Sequence, residues 1–184
     1  VGVEKLQDRL EKLFPEARVA RVDLDSARSR PEAVKIAKQF ADGELDILIG
    51  TIFVLKGLEL GRFSLAGMLQ AESQLNVPDF RSGERAFQLL SEIVSLAQNA
   101  GAEVVIQSLN PEHHSVVSVC TDDPSRFYDA ELQQRRELGY PPFSTLIAFY
   151  VSGPKESEVA KIVERLRSFA PSGEGSSDES QGKR

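Results

Sequence analysis

Residues 4–14 place Leu6, Leu10, Leu13 and Phe14 on one face at helical spacing, and Pro15 stops the run. Arg18-Val19-Ala20-Arg21-Val22-Asp23-Leu24 alternates only in part between apolar and charged side chains, the pattern of a strand near a sheet edge. Pro31 opens a second helix with Val34, Ile36, Ala37 and Phe40 as its inward set, and Gly43 stands where a left-handed cap is favoured. Residues 46–51 are a dense apolar run, the signature of a strand covered on both faces. Residues 63–69 read as another central strand and residues 103–107 as a third buried one. Between them, residues 81–100 turn Phe87, Leu90, Ile93, Val94 and Ala97 inward on a long helix.

Asn110 as N-cap, with Pro111 in the first turn, starts a helix through Val119, and Asp123-Pro124 starts another through about Leu138. Gly139-Tyr140-Pro141-Pro142-Phe143 breaks the pattern. Residues 145–151 read as a strand and 157–169 as a helix. From residue 171 the chain is rich in Ser, Gly and Glu, the composition of a disordered tail. Strands alternating with helices predict an α/β fold, a parallel sheet with right-handed crossovers flanked by helices. The strand and helix beyond Pro142 have too little surface for a core of their own. They are expected to be a partial α+β piece, and the chain a part of a longer protein.

At 184 residues and 41% hydrophobic, the chain holds one full α/β domain plus a fragment. A net charge of -6 argues against a globally basic nucleic-acid binder and leaves room for a local basic strip. The single cysteine, Cys120, excludes an internal disulfide or a cysteine-based metal cluster, and its apolar surroundings make it a core residue. No apolar run is long enough to span a bilayer and no signal-peptide pattern opens the chain, so no membrane partner and a cytoplasmic location are expected.

No Gly-x-x-x-x-Gly-Lys-Ser/Thr loop is present to cradle phosphates, so the chain alone is not expected to hydrolyse ATP. Gly50-Thr51 closes a buried strand, where ligands meet open α/β sheets, and a hydroxyl with free amides there suits a phosphate oxygen. Lys56 adds a point charge and Gly57 lets the backbone approach closely. An ordinary strand-to-helix turn is the competing account. Arg81 and Arg85, four apart, read either as phosphate contacts or as a solvated face near Glu84 or Glu92. Asp23 and Asp25 read as a solvated turn. Adjacent His113 and His114 point apart from a helix start and read as surface residues, not metal ligands. Arg135-Arg136 reads as a charged helix face.

Several of these segments carry a resemblance. Gly50-Thr51-Ile52-Phe53-Val54-Leu55-Lys56-Gly57 resembles motif V of superfamily 2 helicases. Pro78-Asp79-Phe80-Arg81 with Glu84-Arg85 and Phe87-Gln88-Leu89-Leu90 resembles the run into motif VI of the PriA family of replication-restart DNA helicases. Glu131-Leu132-Gln133-Gln134-Arg135-Arg136-Glu137-Leu138-Gly139-Tyr140-Pro141-Pro142-Phe143-Ser144 is similar to that family's junction between its second RecA-like lobe and its C-terminal domain. Gly2-Val3-Glu4-Lys5, Arg21-Val22-Asp23-Leu24-Asp25 and residues 106–113 match in the same order, so the resemblance runs from about residue 1 to 153.

The resemblance implies a RecA-like, P-loop NTPase-like helicase C-terminal lobe over residues 1–139, the start of a C-terminal domain over 140–170 and a tail over 171–184. It implies that Thr51, with Lys56, Arg81 and Arg85, faces DNA, and that Gly57 and Glu59 face ATP across a lobe interface. The departures lie in the catalytic parts. Lys56-Gly57-Leu58-Glu59-Leu60 stands where the family has Lys-Gly-His-Asp-Phe, and Leu96 and Asn99 occupy the two motif VI arginine positions. An arginine finger is worth on the order of 10³-fold or more in rate, so impaired ATPase and helicase activity is expected. ATP and Mg are implied for the parent family, none for this chain alone, and zinc only for a module outside it. Branched or single-stranded DNA, primosome proteins and single-strand-binding protein are the implied partners. The expected function is fork binding and primosome assembly in replication restart. The alternative is the second lobe of an active ATP-dependent 3′-to-5′ DNA helicase; a small-molecule α/β domain ranks last, since the dinucleotide glycine fingerprint is missing.

Overall fold

The computed structural model describes residues 2–22, 30–51, 57–147 and 149–169. Helix α1 (Val3–Leu13) leads to strand β1 (Val19–Val22), helix α2 (Arg30–Ala41) and strand β2 (Ile47–Gly50). β1 and β2 run parallel, with Val19 opposite Ile47 and Val22 opposite Gly50. Strand β3 (Leu65–Met68), helix α3 (Ser82–Ala100) and strand β4 (Glu103–Ile106) follow, and β3 and β4 form a second parallel pair with Leu65 opposite Glu103. Helices α4 (His114–Cys120), α5 (Pro124–Glu137) and α6 (Glu156–Phe169) complete the order. The chain divides into two units, Val1–Phe143 and Ser144–Arg184.

The fold is mixed α/β, with small parallel sheets flanked by helices. The single sheet expected from the alternation is not formed by the described residues, which hold two separate two-stranded pairs. The third strand is also not buried. In β3 and β4, exposed and half-buried residues alternate, so each strand covers only one face. That face looks onto α3, whose Phe87 and Leu90 join Ala71, Val116, Val119 and Phe127 in the core, with Met68, Val94 and Ile106 packed against it. The Phe87 and Phe127 rings stack at 4.1 Å.

Several local expectations change for identifiable reasons. In α1, Leu6 and Leu10 are half-buried, but Leu13 and Phe14, at its C-terminal end, are exposed. In α2 the buried residues are Ala33 and Ala37, and Val34 is exposed, because the small residues let the helix sit close. Gly43 does take the left-handed cap, φ 76°, while Glu44 N–H donates to the Gln39 carbonyl at 2.8 Å. Asn110 is not an N-cap: its carbonyl closes a turn by accepting from His113 N–H, and the helix starts after that turn. Cys120 ends α4 exposed, since Ser115, Val116, Ser118 and Val119 fill the inward face. Asp123 does cap α5, accepting from Arg126 N–H at 3.2 Å.

In the second unit, the helix forms but the expected strand at 145–151 does not. A strand needs a neighbour to satisfy its backbone, and none pairs with this segment among the described residues. Leu146, Ile147, Phe149 and Tyr150 are accordingly exposed.

Candidate functional site

The parallel pairing of β1 and β2 sends both following segments off one end of the sheet. Thr51 is exposed there, directly after β2. Lys56, Asp23 and Asp25 lie outside the described residues. The chain becomes described again at Gly57, which is exposed with φ 75°, a conformation that favours glycine. A Cβ at Gly57 would lie 3.5 Å from Nη2 of Arg30, the first residue of α2. Gly61, φ 65°, packs against the other end of the same helix, where a Cβ would meet Ala41 at 3.0 Å. Residues 57–61 therefore run along α2, whose axis spans about 16 Å, close to the reach of four extended residues, about 14 Å. Leu60 is buried and anchors the segment; Glu59 stays exposed.

Arg81 and Arg85 sit at the start of α3. Asp79 precedes α3, accepting the Arg81 N–H at 2.9 Å with Oδ1 and holding the Arg85 guanidinium at 2.9 Å with Oδ2. The Arg81 guanidinium lies 5.3 Å over the Phe80 ring. The partner of Arg85 is thus Asp79, not Glu84 or Glu92. Leu96 and Asn99 lie further along α3, half-buried and exposed respectively. Eleven residues separate Arg85 from Leu96, about 16 Å of helix. The start of α3 and positions 96 and 99 therefore lie in separate parts of the helix.

The charged cluster that sequence reading missed joins α3, α4 and α5. Arg135 donates to Glu131 Oε1 and to Glu84 Oε2, each at 2.9 Å, and reaches the Pro141 carbonyl at 3.5 Å. Its side chain is only 14% exposed. The His114 ring meets Glu131 Oε2 at 3.0 Å; since a carboxylate accepts, Nε2 carries the proton. His113 Nδ1 accepts from Ser115 N–H at 3.2 Å and so caps α4. The two imidazoles stack at 4.2 Å rather than pointing apart. Burial would raise the Glu131 carboxyl, but hydrogen bonds from His114 and Arg135 outweigh it and hold it low. Burial, then the neighbouring His114, pushes His113 down. The spacing of Glu131 and Arg135, four apart on an expected helix, was the available signal. A groove of about 300 Å³ opens beside this cluster, floored by Phe87, Phe127, Tyr128 and Leu132.

The residues present suit contacts to an anion better than custody of a cation. Among the described residues, no group of three or more His, Cys, Asp or Glu side chains is arranged to hold a metal ion. Gly57 offers main chain to a ligand, while Glu59 offers a carboxylate that a nucleotide phosphate would meet only through a cation. Among the described residues, no helix is long and apolar enough to cross a membrane.

Comparison with known proteins bears on which ligand is relevant. The chain is 35% identical over 170 residues to the replication restart protein PriA of Bacillus subtilis, covering 91% of this chain and 21% of that protein. It is 36% identical over 167 residues to PriA of Synechocystis, 90% of this chain and 20% of that one. For Treponema pallidum PriA the values are 39% over 151 residues, 81% and 23%. This chain is homologous to PriA. It spans about a fifth of the length of the PriA proteins it matches. No family model matches the chain.

Proposed function

We propose that this chain is the part of a PriA-like replication restart protein that forms the second RecA-like helicase lobe, residues 1–139, and the start of the C-terminal domain, residues 140–170. The observation that carries the reading is identity of 35–39% to PriA proteins across 81–91% of the chain. In the parent, Thr51 at the β2 end and, further along the chain, Lys56 contact DNA phosphate, Arg81 and Arg85 support that contact, and Gly57 with Glu59 borders ATP and its Mg. The parent acts in the cytoplasm, binds branched or single-stranded DNA, and supports primosome assembly alongside single-strand-binding protein.

Its ATP-driven unwinding is weak or absent, since Leu96 has no donor and Asn99 has no charge where the family supplies arginines. The exposure of Asn99 supports this reading: that position faces solvent, where an arginine could reach a neighbouring lobe. The test is DNA-stimulated ATP turnover by the full-length protein. Turnover orders of magnitude below an active helicase is expected, with at least partial recovery on combining Leu96→Arg and Asn99→Arg. Wild-type turnover equal to that of an active helicase would overturn the impaired-activity reading and favour a working 3′-to-5′ helicase. Failure of the full-length protein to bind forked DNA would remove the restart reading itself.

A further inference from the structure

The end of the β1–β2 pair holds a cation that neither the sequence pattern nor the resemblance singled out. Arg30 begins α2, and its guanidinium lies over the main chain of Gly57, with Nη2 3.5 Å from the position of a Gly57 Cβ. Three arginines of the first unit are paired locally: Arg18 with Asp46 at 2.8 Å, Arg85 with Asp79 at 2.9 Å, and Arg135 with Glu84 and Glu131 at 2.9 Å. Among the described residues Arg30 has no such partner. Its side chain is exposed, as are Thr51 and Gly57. The geometry therefore leaves an uncompensated forked donor beside bare backbone at the sheet end where ligands of α/β folds bind.

We propose that Arg30 is a phosphate-binding residue, completing with Thr51 and the Gly57 main chain an anion site at the C-terminal end of β1–β2. The guanidinium presents two parallel N–H groups to a phosphate, a match in charge and shape. Gly57 carries no side chain to hold the anion off the backbone. Arg30 also occupies the start of a 12-residue helix, so the dipole acts with its charge. Glu32 in the first turn of α2 and exposed Glu59 oppose an anion, which makes affinity depend on the Arg30 charge. The phosphate comes from a nucleic-acid backbone or from a nucleotide. The inference deepens the proposed function and rests on its placement of Thr51 and Lys56 beside DNA phosphate and of Gly57 beside nucleotide.

The experiment uses the 184-residue chain, as wild type and as Arg30→Ala, Arg30→Gln, Arg30→Lys and Thr51→Val, with thermal melts by circular dichroism to verify folding. Binding of fluorescent oligo(dT) is measured by anisotropy across a salt series, and binding of ATP with Mg in a second arm. In a third, inorganic phosphate is added at constant ionic strength to ¹⁵N-labelled protein and the Gly57 amide is followed. Arg30→Ala and Arg30→Gln are expected to weaken binding about 3- to 10-fold. In the DNA arm they should also lower the log–log salt slope by about 0.7, the value for one phosphate contact on a single strand. Arg30→Lys should keep the slope. Loss in the DNA arm assigns the phosphate to nucleic acid, and loss in the ATP arm assigns it to nucleotide. In either case the phosphate-dependent shift of Gly57 should vanish without Arg30. Wild-type binding that Thr51→Val weakens and every Arg30 variant leaves unchanged overturns the Arg30 site but not the functional reading. A wild-type chain that binds neither DNA nor nucleotide, and whose Gly57 amide does not respond to phosphate, overturns the Arg30 site, whereas the functional reading falls only if the full-length protein fails to bind forked DNA.

Discussion

Gly83→Ala inverts the usual rule for glycine in helices. Gly83 is the second residue of α3 and buried. Replacing a helical glycine by alanine normally stabilises by up to about 1 kcal/mol. Here the added Cβ would lie 2.7 Å from Glu131 Oε2, well inside contact distance. That oxygen cannot simply swing away, because it holds His114 at 3.0 Å while its twin holds Arg135 at 2.9 Å. Displacing the carboxylate sacrifices at least one charge-assisted hydrogen bond in a buried setting, about 1.5–3 kcal/mol. The difference is a net destabilisation of about 0.5–2 kcal/mol by this arithmetic, read as a lower urea midpoint with an unchanged slope. A double-mutant cycle isolates the cause. Glu131→Ala removes the obstructing oxygen, so in that background Gly83→Ala should become neutral or stabilising, giving a coupling of about 1 kcal/mol or more. An unchanged or higher midpoint for Gly83→Ala in the wild-type background would refute the reasoning.

Three further outcomes follow from the same contacts. Phe127→Ala should lose about 3–5 kcal/mol in urea denaturation, because the ring is 1% exposed and stacked on Phe87 at 4.1 Å. Acid should destabilise the first unit in two stages. The folded-state values of His113 and Glu131 are both depressed, so their contributions are complete above about 6.5 and 4.5 respectively and are lost as pH falls through the folded values; His113→Gln should flatten the upper stage of the stability–pH curve and Glu131→Gln the lower. Asn99→Arg should leave the melting midpoint within about 0.5 kcal/mol of wild type, since the residue is exposed, whereas Leu96→Arg places a charge at a half-buried position and should lower it.

What the sequence made legible was what depends on local chemistry. Gly43 as a left-handed cap, Asp123 as an N-cap before Pro124, and Phe87 and Leu90 on the inner face of α3 are set by neighbours within a few residues. Several of the failures involve a partner outside the local segment. Residues 145–151 have the apolar β-branched and aromatic content of a strand, but no pairing strand lies among the described residues. Val34 yields the buried face of α2 to Ala33 and Ala37 because close helix approach rewards small volume, which a hydrophobic pattern cannot rank. Arg135 reads as a solvated charge because its acceptors, Glu84 and the Pro141 carbonyl, come from elsewhere in the fold. At the candidate site, the strand end and the Gly57 turn were visible, while Arg30 was not. Its relation to Gly57 exists only once α2 has folded back along residues 57–61.

In helix α3 the side chains that fix its position are distinct from those at positions 96 and 99. Its position is fixed by side chains at its start and along its inner face: Glu84 held by Arg135, Gly83 giving its carbonyl to the Ser115 hydroxyl at 2.9 Å, and Phe87, Leu90 and Ala97 buried. None of these is Leu96 or Asn99. The inner face must satisfy volume and hydrogen bonding against α4 and α5, so substitutions there act on stability. Asn99 projects from the opposite side, where the requirement is set by whatever it meets and little by this domain's own packing. Arginine in place of Asn99 is therefore expected to cost little in folding. The Glu131–Arg135 clamp would then hold the start of α3 whichever residue stands at position 99, which makes the two separable by experiment.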